Sequence, residues 1–276
     1  MKLRVTAPAT IVALSLMAGL AAAQQPVPTV TVNANPAAAT IVASGPIPAG
    51  PTRLNFVRPA GNKKDLSVFV VLLVPGVSAE QLLSTLESED RSDGEASLGL
   101  VSIQASASLG AGDAQRAVTF NVKPGLSYVV VVEQDTENGP TPRSLTTFTS
   151  SGVANGATAP APAATYKMQG LRFRGPSTLK RTSTVRFQNR DGVSHFALAF
   201  PLRKGTTTAQ LAKGLRSERS FGKIVAGAPY MAQYVISGGD TGNDQELRFP
   251  SKGRYGFVCF IDGHDRLGMY KIITVK

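Results

Sequence analysis

The feature that most constrains the fold of this chain is an internal repeat at a spacing of about 129 residues. Three blocks recur in the same order along the sequence. They are VPGVSAEQL with RKGTTTAQL, GDAQRAVTF with GNDQELRF, and GLSY with GRY, the last pair each followed by an apolar run. A single chance match would mean little, but three ordered blocks indicate two copies of one fold.

Each copy is predicted to consist mostly of strands, because its apolar runs are short, rich in Val, Ile, Phe and Tyr, and bounded by turn residues. In the second copy the predicted strands are Tyr166–Arg174, Ser183–Gln188, Ser194–Phe200, Ala232–Ile236, Gln245–Phe249, Tyr255–Phe260 and Tyr270–Val275. One short helix is predicted over Thr207–Leu215. About seven short strands per copy are typical of a Greek-key sandwich. The predicted fold class is therefore all-β, with two tandem Greek-key β-sandwiches that each carry a short helix.

Composition divides the chain into five segments. Residues 1–23 have a charged start, an apolar stretch and an Ala-Ala-Ala cleavage site, which predicts an export signal. Residues 24–39 are predicted to be a flexible lead-in, residues 40–149 the first domain, residues 150–165 an Ala/Pro/Gly linker and residues 166–276 the second domain. The apolar stretch is too short to span a bilayer. We therefore expect an exported protein, periplasmic or secreted, with no transmembrane segment in its mature form.

Charge is distributed unevenly between the copies. Residues 24–155 carry a net charge of −3, whereas residues 156–276 carry +12. One interpretation is an electrostatic surface for an acidic redox partner, and the other is a well-solvated surface with no partner. Nucleic acid is not expected as a partner, because the chain is predicted to be exported. The sequence leaves the oligomeric state open.

The chain contains one cysteine and two histidines, and their spacing predicts a metal site. Cys259 lies near the end of one predicted strand, His264 and Met269 follow at intervals of five residues before the next strand, and His195 lies in another predicted strand. Taken singly, the cysteine could be a buried structural thiol and each histidine an ordinary polar group. Together, a thiolate, a thioether and two imidazoles favour copper. Zinc is the weaker alternative, since a thioether is a poor zinc ligand.

Two segments resemble a known family. They are VRFQNRDGVSHFAL and YGFVCFIDGHDRLGMYKIITV, and they resemble the cupredoxins, the blue copper family of plastocyanin, azurin and rusticyanin. The resemblance covers residues 166–276. It implies a type 1 site for one copper ion that alternates between Cu(I) and Cu(II). By this resemblance His195 and His264 are nitrogen ligands, Cys259 is the thiolate ligand and Met269 is the axial ligand.

The first copy lacks this chemistry. It has Leu66 where the second copy has His195, and Val132 where the second has Cys259, and residues 24–155 contain no His, Cys or Met. It is therefore predicted to be a degenerate domain without metal ligands. Single-electron transfer is the leading functional hypothesis. Copper binding and delivery without redox turnover, or a purely structural module, remain alternatives. An enzyme is not expected, because multicopper enzymes need more histidines than this chain has.

Overall fold

The computed structural model describes residues 25–43, 45–88, 95–110, 112–134, 143–227, 230–239 and 241–276. The predicted export signal, residues 1–23, lies outside the described residues. The described chain is mostly β-strand with a few short helices, which confirms the all-β prediction. None of the helices in this part of the chain is long and apolar enough to cross a membrane.

The elements fall into two successive sets, which we call the first half and the second half. The first half comprises β1 (Thr29–Asn33), β2 (Thr40–Val42), β3 (Ile47–Val57), β4 (Leu66–Leu73), α1 (Ala79–Ser88), α2 (Glu95–Gly99), β5 (Val101–Leu109), β6 (Gln115–Val122), β7 (Ser127–Gln134) and β8 (Arg143–Ala154). The second half begins with β9 (Ala164–Met168), β10 (Phe173–Arg174), β11 (Thr178–Leu179), β12 (Thr182–Asn189), β13 (His195–Leu202), α3 (Thr208–Gly214) and α4 (Glu218–Gly222). It ends with β14 (Tyr230–Ile236), β15 (Thr241–Arg248), β16 (Gly253–Val258), a 3₁₀ turn (Ile261–Gly263) and β17 (Tyr270–Val275).

The segment expected to be a flexible lead-in contains strand β1. Its Thr-Val-Thr-Val alternation places Val30 and Val32 in the core, because successive strand side chains point to opposite faces. The strand pairs in parallel with β3. At the other end of the first half, β8 and β9 extend into both ends of the predicted linker, and residues 155–163 between them form no strand.

Each predicted strand of the second half overlaps an observed one, but β11 is absent from the prediction and one predicted strand is divided. The predicted strand Tyr166–Arg174 is two strands, β9 and β10, that pair antiparallel with each other. Gly170 and Leu171 lie between them with φ values of 59° and 53°. Left-handed backbone of this kind reverses the chain direction, and an apolar side-chain pattern does not reveal it.

Strand pairing follows the same pattern in both halves. In the first half β4 pairs with β5 and β7, β7 pairs with β8, and β3 pairs with β1 and β6. In the second half β13 pairs with β14 and β16, β16 pairs with β17, and β12 pairs with β9 and β15. Seven strands of each half thus correspond in chain order, and β2, β10 and β11 lie outside this set.

The two halves share a sheet. Strand β6 of the first half pairs antiparallel with β15 of the second, with Phe120 opposite Asn243 and Val118 opposite Gln245. An ion pair between Arg53 and Glu246 lies beside this seam. The amide of Ile103 also donates to Ser237 Oγ at 2.7 Å. Twelve strands therefore form one sheet across the halves, and β11, β17, β16, β13 and β14 form a second sheet.

Each half has its own apolar core. The second core takes side chains from both sheets, with the Tyr166 ring 5.1 Å from Phe257 and 5.8 Å from Phe187 between ring centroids. Large rings in contact bury much apolar area and favour such edge-on and offset packing. A further cluster forms where α3 covers β13 and β16, with Leu211 fully buried against them. Helix α3 begins after Thr207, whose side chain accepts from the Gln210 amide.

Candidate metal centre

Two adjacent strands hold one side of the candidate site. His195 is the first residue of β13, and Cys259 directly follows β16, the antiparallel neighbour of β13. In their register Leu198 is opposite Val258, so Cys259 lies beyond that pair at the same end as His195. The Phe196 amide donates to Cys259 Sγ at 3.5 Å, which joins the two strands at the site. His195 and Cys259, the two candidate ligands on this side, are therefore both attached to hydrogen-bonded strand backbone.

The loop between β16 and β17 supplies the other two predicted ligands. The His264 amide donates to Ile261 O and the Met269 amide donates to His264 O, both at 2.8 Å. The Cys259 amide donates to Met269 O at 3.1 Å, which closes the loop on its own backbone. Gly263 and Gly268, directly before His264 and Met269, have φ values of 73° and 101°, which glycine adopts without strain.

Three of the four predicted ligands converge. The ligand atoms of His195, Cys259 and His264 all lie within 4.8 Å of one another. The two Nδ1 atoms are 3.2 Å apart, and His264 Nδ1 is 3.5 Å from Cys259 Sγ. His195 and Cys259 are fully buried, and His264 is 7% exposed. Unlike ordinary buried histidines, these two rings turn nitrogen atoms toward each other and toward a thiol.

Met269, the fourth predicted ligand, is joined to this cluster through its backbone. It is fully buried and belongs to the same apolar core as Cys259. Its backbone is hydrogen-bonded to both Cys259 and His264, so its position is tied to theirs. The converging set of two imidazoles and a thiolate suits copper, and the same donors also bind zinc.

One residue at the site was not predicted from the sequence. Asp191 Oδ2 lies 2.8 Å from His195 Nε2, on the ring edge that does not face His264. Asp191 precedes a glycine, and the sequence around it indicates only a turn. A carboxylate four residues before a candidate histidine ligand is the signal that could have identified it.

The protonation states follow from this arrangement. Burial lowers the pKa of His195, and although the Asp191 hydrogen bond opposes this effect, the nearby His264 adds to it. Burial acts to raise the pKa of Asp191, but the Gly170 amide and His195 outweigh it, so its pKa lies below the ordinary value. An ionised carboxylate only accepts, so a neutral His195 that keeps this hydrogen bond carries its proton on Nε2. The lone pair on Nδ1 is then available for a metal, as ligation requires.

The flank of the site is covered by the first half. Phe196 follows His195 in the sequence, and Ile261 is two residues after Cys259. Both pack against an apolar cluster on the outer face of β4, β5 and β7. Val71, Val129 and Val131 are buried members of that cluster. The first half therefore excludes water from one side of the ligand loop.

Comparisons with known proteins return copper proteins. No family model and no curated protein match the chain. Auracyanin A, a blue copper protein from Chloroflexus aurantiacus, shares 22% identity over 41% of this chain and 96% of its own, with a TM-score of 0.28. Auracyanin from Roseiflexus castenholzii shares 20% sequence identity over 41% of this chain and 94% of its own, with a TM-score of 0.26. Copper nitrite reductase from Nitrosomonas europaea shares 12% sequence identity over 90% of this chain and 93% of its own, with a TM-score of 0.26. Likenesses at such scores carry no argument about function.

Proposed function

We propose that the second half holds one copper ion through His195, Cys259 and His264, with Met269 as a weak axial ligand, and that the exported protein transfers single electrons. The observation that carries the proposal is the convergence of two imidazole Nδ1 atoms and a thiol sulfur within 4.8 Å of one another. When bound, copper supplies the one-electron chemistry, as Cu(II) or Cu(I).

The chain's contribution is to fix the positions of the ligands and to shield them from solvent. His195 and Cys259 are held at adjacent strand ends, and the loop that carries His264 and Met269 is closed by backbone hydrogen bonds. Ligands held this way change position little when the charge of the ion changes, which favours fast electron transfer. His264 is the most exposed of the ligands, and so it is the proposed route for the electron.

We further propose that the two halves are tandem cupredoxin-like sandwiches, and that only the second carries chemistry. The matching strand pairing of the halves and the absence of His, Cys and Met from residues 24–155 support this view. The protein would then be an electron carrier outside the cytoplasm rather than an enzyme. The excess of Lys and Arg in residues 156–276 suits an acidic partner protein.

Copper delivery is the second candidate, and the burial of the site distinguishes it from electron transfer. A delivery site must release its ion to a partner, which requires exposed and exchangeable ligands. Here two of the three converging ligands are fully buried. The geometry therefore supports an ion that stays bound while electrons move.

The test is to titrate the metal-free mature protein with Cu(II). We expect one ion per chain and an intense blue thiolate-to-copper absorption band. Cys259→Ser should abolish the band, whereas Met269→Leu should keep it and raise the reduction potential, because an axial ligand tunes that potential. Colourless protein that binds no copper would overturn the proposal. Binding of zinc with high affinity but no blue copper form would point to a structural zinc site instead.

Rapid electron self-exchange distinguishes transfer from delivery. We expect fast self-exchange between the oxidised and reduced protein, and slow loss of copper to a chelator. Slow self-exchange with ready loss of the ion would favour delivery.

A further inference from the structure

The outer edge of His195 is held by a carboxylate that is itself fixed from several sides. Asp191 Oδ1 accepts from the Gly170 amide at 2.9 Å, and Oδ2 accepts from His195. The Asp191 amide donates to Asn189 Oδ1 at 3.0 Å, and Asp191 O accepts from the Gly239 amide at 2.9 Å. Asp191 is thus held by hydrogen bonds to three separate segments, and its second carboxylate oxygen is directed at the histidine.

The turn that donates to Asp191 also reaches the ligand loop. Leu171 has a φ of 53° and is the one non-glycine residue with positive φ in the described part of the chain. Such backbone is unfavourable for leucine and persists where its surroundings impose it. Arg172 follows and donates from Nη1 to Leu267 O at 2.7 Å. A Cβ atom at Gly268 would lie 2.5 Å from the same Arg172 nitrogen, so this contact depends on glycine there.

We infer that Asp191 is a positioning residue for the metal centre. It keeps the proton of His195 on Nε2, holds the ring with Nδ1 toward Cys259 and His264, and places a negative charge at the far edge of the ligand. This inference rests on the proposed function. Outer partners of this kind fix the orientation of a ligand and increase its basicity.

Two consequences follow from this role. Loss of the carboxylate should weaken copper binding by about 10–100-fold, the usual effect of losing such a partner. It should also raise the reduction potential, because a nearby negative charge favours Cu(II) over Cu(I). A residue that only stabilised the fold would change neither the potential of the bound ion nor the tautomer of His195.

The experiment compares the full-length mature protein with Asp191→Asn and with Glu246→Gln as the matched control. Glu246→Gln removes one negative charge from the seam between the halves, where its partner is Arg53. We would measure the ¹⁵N shifts of the histidine rings in the metal-free proteins, the Cu(II) dissociation constant and the reduction potential. The expected result is a His195 Nε2–H tautomer in the wild type and in Glu246→Gln. Asp191→Asn should show a mixed tautomer, weaker binding and a higher potential.

Equal affinity, potential and tautomer in Asp191→Asn and Glu246→Gln would overturn the inference. If Asp191→Asn fails to fold, the tautomer of His195 in the metal-free wild type still tests the inference. A His195 ring protonated on Nδ1 would overturn the inference. Failure of the proposed function is seen separately. In that case the wild type takes up no copper, while the tautomer of His195 still reports on Asp191.

Discussion

The corresponding ends of β4 and β13 carry different side chains at matching positions. Strand β4 begins with Leu66, and its neighbour β7 carries Val132, both fully buried in the first core. Strand β13 begins with His195, and Cys259 follows its neighbour β16, both equally buried. The first pair closes the end of a core with apolar side chains. The second pair places an imidazole and a thiol at the corresponding positions, and each of them also has a hydrogen-bond partner in the protein.

The pairing with the second neighbouring strand also differs between the halves. This neighbour is β5 beside Leu66 and β14 beside His195. In the first half Leu66 is opposite Leu109, and the pairing of β4 with β5 stays in register as far as Val70. In the second half the pairing of β13 with β14 shifts register twice, beginning at His195. Bulges of this kind re-aim a side chain and often occur next to functional sites. The comparison teaches that the two strand ends differ in the pairing of a neighbouring strand as well as in their side chains.

The strongest test converts the second half to the residues of the first. The double variant His195→Leu with Cys259→Val should bind no copper and keep the fold, because the first half shows that Leu and Val fill these positions. Asp191 keeps the Gly170 amide as a donor, so its carboxylate stays hydrogen-bonded. At a thousand-fold excess of copper over its dissociation constant, the wild type should gain about 4 kcal/mol that the variant lacks. Thermal unfolding with and without Cu(II) measures this difference.

A rise in melting temperature on adding copper to the double variant would show that the ion binds elsewhere. Unfolding of the metal-free double variant would show instead that the two halves do not tolerate the same residues. Either result would break the correspondence between the two strand ends.

The same truncation at the two corresponding positions should affect different properties. Leu66→Ala should lower the free energy of unfolding by about 2–5 kcal/mol, since it leaves a cavity in a closed core, and should leave copper stoichiometry unchanged. His195→Ala should abolish the blue band. Urea unfolding of the metal-free proteins and copper titration measure the two properties. A loss of copper binding in Leu66→Ala would show that the halves do not act as separate cores.

The two loop glycines allow a smaller and more local test. Gly268→Ala combines left-handed backbone with a close approach to Arg172, and should cost about 1–3 kcal/mol. Gly263→Ala shares the left-handed backbone, but no atom lies near the added Cβ, so it is the matched control. We expect Gly268→Ala to release copper faster than Gly263→Ala, as measured by transfer to a chelator. Equal release rates would mean that the Arg172 contact does not hold the loop.

The sequence was sufficient to predict most strands of the second half and the three residues that converge, His195, Cys259 and His264. Short apolar runs bounded by turn residues identify strands locally, and the rarity of His and Cys makes their spacing informative. The bounds of β17 are those predicted, and β12 and β13 differ from prediction by only one or two residues at each end. The convergence of His195 with Cys259 follows because both lie at the same end of neighbouring strands.

Other features depend on contacts that a one-dimensional pattern does not encode. The pairing of β6 with β15 depends on which edges of the two halves meet, and the alternation along either strand is the same with any partner. The left-handed backbone at Leu171 is not predictable from the residue type, because the residue at this position is not glycine. Asp191 looks like any turn aspartate until the fold brings the Gly170 amide and His195 to its two oxygens.

The smallest expected effect is a pH dependence confined to the second half. Because burial lowers the pKa of His195 below its ordinary value of 6.5, the unfolded state takes up a proton first as the pH falls. The metal-free protein should therefore be most stable above pH 6.5 and lose stability as the pH drops below it. His195→Leu should remove this dependence, because Leu66 shows that an uncharged side chain fills the corresponding position. Urea unfolding above and below this pH measures the effect, and an unchanged slope in His195→Leu would assign it to another group.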